Sequence, residues 1–160
     1  MSAVFATPIH DRYFEDYVPG AVFVFGPIEM TEAELLTFAE RFDPQSIHTD
    51  VAAAAQGPFG GLIASGWHTV GLLMRLYVEH YLTAVASLAS PGVDTLRWIK
   101  PVRPGDRLRL RVTVLDKRRS RTKPDRGLVF SRLEGLNQHD DLVVSMDAMN
   151  MIGLRQIGDA

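Results

Sequence analysis

The segment SGWHTVGLLMRLYVEHYLTAVASLA, residues 65–89, decides the fold. Drawn as a helix, it places Trp67, Val70, Leu73, Tyr77, Val78 and Leu82 on nearly every side. A helix that is apolar all round is either buried in protein or spans a membrane. His68, Arg75, Glu79 and His80 interrupt this one too often for a lipid span. It reads as a central helix wrapped by the rest of the chain. Arg75 and Glu79, at i and i+4, can pair wherever it meets solvent. His80 is expected to serve the last carbonyls, and His68 to be a satisfied core residue.

Whatever wraps the helix must come from the flanking sequence. From Val93 onward the pattern is that of strands. In RLRLRVTVL (107–115), Leu108, Leu110, Val112 and Val114 alternate inward against Arg107, Arg109, Arg111 and Thr113. A type II turn at Arg103-Pro104-Gly105-Asp106 precedes it. Two further strands, 127–136 and 142–154, are joined through NQHDD, and short links imply antiparallel neighbours. On the N-terminal side, residues 21–29 (AVFVFGPIE) form a first strand. TEAELLTFAERF follows as a helix, with Thr31 as N-cap and Glu34 completing a capping box. Leu35, Leu36, Ala39 and Phe42 share its apolar face. Pro44 stops it, because the residue before a proline is pushed out of the helical region. A short alanine-rich turn, 51–56, is capped by Thr49 or Asp50 and stops at Gly57. One sheet and one long apolar helix bury each other only if the sheet curls. The class is α+β, with a curved antiparallel sheet around a central helix.

With 160 residues, the chain has the length of one domain, taken as 1–160. A net charge of −2 argues against a protein dedicated to nucleic acid. The absence of cysteine excludes disulfides, thiolate metal sites and a cysteine nucleophile. The first residues show neither a basic leader nor an apolar run of signal-peptide length. The expectation is a cytoplasmic protein with no membrane span.

Asp43 and His48 are the foremost candidates for chemistry. Imidazole exchanges protons near neutral pH. A carboxylate five residues away, across a proline-forced turn, can reach it directly or through a shared water. Taken alone, the pair also reads as a turn former and a surface histidine. The second candidate is GGLIASGWH, where glycines surround Ser65 as an N-cap and free backbone N–H groups at residues 65–67 could face a ligand. Such a helix start suits an oxygen that becomes negative, although close helix–sheet packing also selects glycine. His48-Thr49-Asp50 with a distant histidine could imitate an iron site, but such short matches are common by chance. No metal is expected. The basic run DKRRSRTKPDR (116–126) reads as a solvated hairpin tip, or as a receiver of ligand phosphates.

FAERFDPQSIHTD (38–50), GGLIASGWHTVGLLMRL (60–76) and KPVRPGDRL (100–108) together resemble the MaoC-like dehydratases, relatives of the R-specific enoyl-CoA hydratases. The resemblance runs over roughly residues 15–155 and implies a hotdog fold. The family motif Asp-x-Asn-Pro-(Leu/Ile)-His matches Asp43, Ile47 and His48, with Gln45 in place of the asparagine and Ser46 in place of the proline. The glycine at the start of the hotdog helix matches Gly66, and the histidine that often precedes it is Ser65 here. By resemblance, Asp43 and His48 would hold a water that adds to the β-carbon of a trans-2-enoyl thioester, giving the R-3-hydroxyacyl product, or leaves in reverse. Ser65 and Gly66 would bind substrate, with the Gly66 N–H on the thioester oxygen. The carrier would be coenzyme A or an acyl carrier protein. No metal or redox cofactor is implied, and the pocket would lie at the interface of a homodimer or dimer-based oligomer. A thioesterase and a non-catalytic acyl-thioester-binding subunit are the other readings open on this fold.

Overall fold

The structure, a computed structural model, describes residues 2–156. Five strands form one antiparallel sheet: β1 (Val22–Glu29), β2 (Ser87–Trp98), β3 (Arg107–Arg119), β4 (Arg126–Leu136) and β5 (Leu142–Gly153), in the order β1-β3-β4-β5-β2. The helices are α1 (Glu32–Phe42), α2 (Ser46–Thr49), α3 (Val51–Gln56) and α4 (Gly66–Leu76), and α4 runs on as a π-helical turn, Tyr77–Tyr81. The sheet curls around α4, the arrangement of a hotdog fold. Leu108, Leu110, Val112 and Val114 are fully buried and join Leu73, Leu76, Tyr77 and Tyr81 in one core. The alternation of β3 therefore points inward as its sequence predicts. At roughly 1.5–3 kcal/mol for each large aliphatic side chain removed from water, this face is a principal source of stability.

Three local expectations are corrected. The apolar run of residues 65–89 does not stay helical. It ends at Tyr81, Leu82 is extended, and β2 begins at Ser87 rather than at Val93. The stop comes from a distant residue: buried Arg12 donates to the carbonyls of His80 (2.9 Å) and Tyr81 (2.8 Å). The Thr83 hydroxyl then accepts from the amides of Val85 and Ala86. Arg12, not His80, serves the last carbonyls, and the His80 ring stacks on Phe25 instead. Second, β2 lies beside β5, not beside β3. The link 99–106 crosses the mouth of the curled sheet, bridging three strand spacings, about 14 Å measured along the sheet. Its turn is as read, with Gly105 at φ +86° and Asp106 N–H donating to Arg103 O. Third, α1 has Thr31 as N-cap, accepting from Glu34 N, and buries Leu35 and Ala39, but Phe42 lies exposed. Phe42 stands at the helix end, past the core's edge.

Candidate active site

Pro44 ends α1 so that Asp43 stands just past it as the C-cap, with φ −150° and ψ 66°. The chain then makes the single turn α2, which carries His48 into the interior, where it is 5% exposed. Ile47 and His48 are tied to the segment that enters α4. Ile63 N–H donates to Ile47 O at 3.2 Å, and His48 Nδ1 lies 2.7 Å from Ile63 O. A carbonyl oxygen can only accept, so the proton is assigned to Nδ1. In neutral imidazole that leaves a lone pair on Nε2, which faces Asp43 Oδ2 at 3.4 Å. Two acceptors face each other, and a shared proton donor, a water or an imidazolium hydrogen, reconciles them.

Both carboxylate oxygens of Asp43 accept hydrogen bonds. Gln45 Nε2 donates to Oδ1 and Ser65 Oγ to Oδ2, each at 2.7 Å. The Gln45 amide first, then the Ser65 hydroxyl, hold the Asp43 carboxyl below the usual carboxylate range, and His48 adds to this. Gln45 therefore turns to the carboxylate instead of capping α2. Ser65 precedes α4 as its N-cap residue but makes no cap with its side chain, contrary to the capping serine read from the sequence. Its hydroxyl is spent on Asp43, so the helix start keeps backbone N–H groups for another acceptor.

A cavity of about 390 Å³ joins these groups, lined by Asp43, His48, Gly66, Phe59, Trp98 and Lys100 among others. Asp43, His48, Ser65 and Gly66 are thus brought together. A Cβ at Gly66 would overlap the Trp98 indole, so close packing accounts for this glycine alongside any ligand role. Trp98, the last residue of β2, meets Trp67 edge to face at 5.1 Å. Sequence reasoning missed Trp98. Its only signal was an aromatic residue two positions before the KPVRPGD turn. His68 is buried and stacks on Phe38 (4.7 Å), but its Nδ1 has no partner among the described residues, so it is not the satisfied core residue expected. Burial pushes its imidazole toward the neutral form. Asp50 accepts from Ala53 N at 2.9 Å as the cap of α3. Among the described residues there is no cluster of three or more His, Cys, Asp or Glu able to hold a metal, and no helix is long and apolar enough to cross a membrane.

The MaoC like domain family matches residues 16–129, and the chain belongs to that family. A solved relative, the MaoC-like dehydratase from Rhodospirillum rubrum, superposes with a TM-score of 0.83 at 36% identity, covering 91% of this chain and 99% of that one. An uncharacterized Bacillus subtilis protein, YdeM, is 32% identical over 126 residues, 79% of this chain and 88% of its own length. The 3-hydroxyacyl-thioester dehydratase Z of Mycobacterium tuberculosis is 39% identical over 84 residues, 51% of this chain and 56% of the relative.

Proposed function

We propose that the whole chain, residues 1–160, is one hotdog domain that interconverts a trans-2-enoyl thioester and its R-3-hydroxyacyl thioester by adding or removing water. The observation that carries this reading is the pair of acceptors, Asp43 Oδ2 and His48 Nε2, 3.4 Å apart in a cavity that also contains the start of α4. A water about 2.8 Å from each would donate one hydrogen to each. Its oxygen attacks the β-carbon while His48 Nε2 takes a proton as general base. The electron pair moves onto the thioester oxygen, where the Gly66 N–H stabilises the growing charge. The imidazolium Nε2–H then protonates the α-carbon. Hydroxyl on Cβ and hydrogen on Cα balance the water consumed. Asp43, kept ionised by Gln45 and Ser65, holds the water and offsets the imidazolium charge. The same steps in reverse eliminate water. The neighbouring family member described as a 3-hydroxyacyl-thioester dehydratase supports this substrate class.

The test is hydration of crotonyl-CoA by the purified protein, followed as loss of enoyl absorbance, with the chirality of the product determined. Asp43→Asn and His48→Ala should each lower kcat by about 10²–10⁴-fold. The double variant should be hardly worse than either single one, because groups acting as a unit are non-additive. A folded Asp43→Asn protein with full rate would remove the pair from the mechanism. Thiol release from saturated acyl-CoA without hydration would make the protein a thioesterase.

A further inference from the structure

We infer that Lys100 and Arg103, on the connection between β2 and β3, form a phosphate subsite for the end of the pantetheine arm; the inference rests on the thioester chemistry proposed above. Either carrier of an acyl thioester, coenzyme A or a carrier protein, bears a phosphate ester at the far end of that arm. With the thioester at Gly66, this phosphate anion must come to rest at the cavity mouth. The basic run at 116–126 is badly placed for it. Trp98 pairs with Val144, and Val144 with Gly135, so the cavity lies at that end of the sheet. The run surrounds the hairpin where Arg119 pairs with Gly127. Gly127 and Gly135 stand eight residues apart on β4, about 27 Å of strand.

Two other cations stand nearer, one on the cavity wall and one bonded to it. Lys100 lines it, and Arg103 Nη2 donates to the carbonyl of Phe59, another lining residue, at 2.6 Å. Arg103 makes no ion pair with a carboxylate among the described residues. Nearby Asp106 is engaged by the Arg103 backbone N–H and by Gln138. A guanidinium has five N–H donors in a fixed fork, and a single carbonyl leaves most of them for a phosphate. Lys100 pairs with Asp141 at 2.7 Å, with both side chains about half exposed. Such surface pairs contribute little, so the ammonium can take a phosphate oxygen at small cost. One cation is thus free of carboxylates and the other is loosely held, and both adjoin the cavity.

The experiment reads binding without turnover. The chain has two tryptophans, Trp67 and Trp98, and Trp98 lines the cavity, so intrinsic fluorescence reports occupancy. Coenzyme A, pantetheine 4′-phosphate and phosphate-free pantetheine are titrated into the wild type, Lys100→Ala/Arg103→Ala, and Arg118→Ala/Arg119→Ala/Arg121→Ala. The double variant should bind both phosphate-bearing ligands about tenfold more weakly and with less salt dependence. Its affinity for pantetheine should hold, and the hairpin variant should match the wild type. Unchanged coenzyme A binding in the double variant would overturn the subsite. A parallel loss on pantetheine would assign Arg103 to holding the Phe59 loop. Loss confined to coenzyme A would overturn the assignment to the arm's own phosphate, and loss in the hairpin variant would move the subsite there. Intact binding with no hydration of trans-2-enoyl-CoAs of any chain length would refute the proposed reaction while leaving the subsite standing.

Discussion

Three groups converge on the Asp43 carboxylate: the Gln45 amide on one oxygen, and the Ser65 hydroxyl and His48 Nε2 on the other. Hydrogen bonds to the charged form favour it, so the folded pKa is depressed. The stability this contributes is fully present above the unfolded carboxyl value, near 4, and is lost as pH falls through the lower folded value. Ser65→Ala removes one donor. The carboxyl should rise toward its ordinary range, and the acid-side loss of activity should move to higher pH. At about 1 kcal/mol for one hydrogen bond, kcat should fall roughly fivefold to tenfold. A pH–kcat profile of the variant with an unmoved acid limb would show that Ser65 does not tune this group. The Asp43–His48 spacing was legible in the sequence because Pro44 forces a local event. The Ser65 contact was not, since it joins residues 22 apart and the same serine reads equally well as a helix cap. Gln45 appeared only as a departure from a family pattern, yet it delivers a donor to the carboxylate.

At the level of elements, the alternation of β3 and the capping of α1 were readable because period and caps are written locally. The end of the central helix was not. Tyr81, Leu82 and the residues to Ala89 continue a helical pattern, and Arg12, 68 and 69 residues away from the carbonyls it takes, decides where the helix stops. The neighbour of β2 was likewise hidden, since a short link across the mouth of a curl looks like a hairpin in sequence. Helix and sheet also meet closely at Gly135, where a Cβ would lie 2.6 Å from Leu73 Cδ1 and 2.8 Å from Val144 Cγ1. Leu73 and Val144 are both 1% exposed, so neither has room to turn away. Gly135→Ala should therefore destabilise the fold by about 1–3 kcal/mol through overpacking. Urea unfolding should show a lower midpoint at unchanged slope. An unchanged midpoint would mean that α4 can shift on the sheet without cost.

For the whole molecule, the strand order leaves β1 and β2 as the two edges, and they are finished differently. β1 is short, and its register with β3 slips between Phe25 and Ile28, which blunts it. β2 also slips in register, at three places against β5, but it is twelve residues long and almost wholly exposed, with Leu88, Val93 and Trp98 each close to half accessible. A long exposed edge that carries apolar side chains among polar ones is a template for another strand. The partner expected from the family resemblance is a second copy of the chain, and the exposure of β2 makes it the edge where two sheets would become one. Since Trp98 ends β2 and also lines the cavity, the second copy would stand beside each candidate site and help to exclude water from it. Val93→Lys places a charge in the middle of that edge, far from Asp43 in sequence, where two copies would oppose like charges. Sedimentation at micromolar concentration should give twice the chain mass for the wild type and the single mass for Val93→Lys. Hydration activity should fall with dissociation and return partly as the variant is concentrated. A wild type that sediments as a stable monomer while turning over enoyl thioesters would show that one chain closes its own cavity, and β2 would then need another cover.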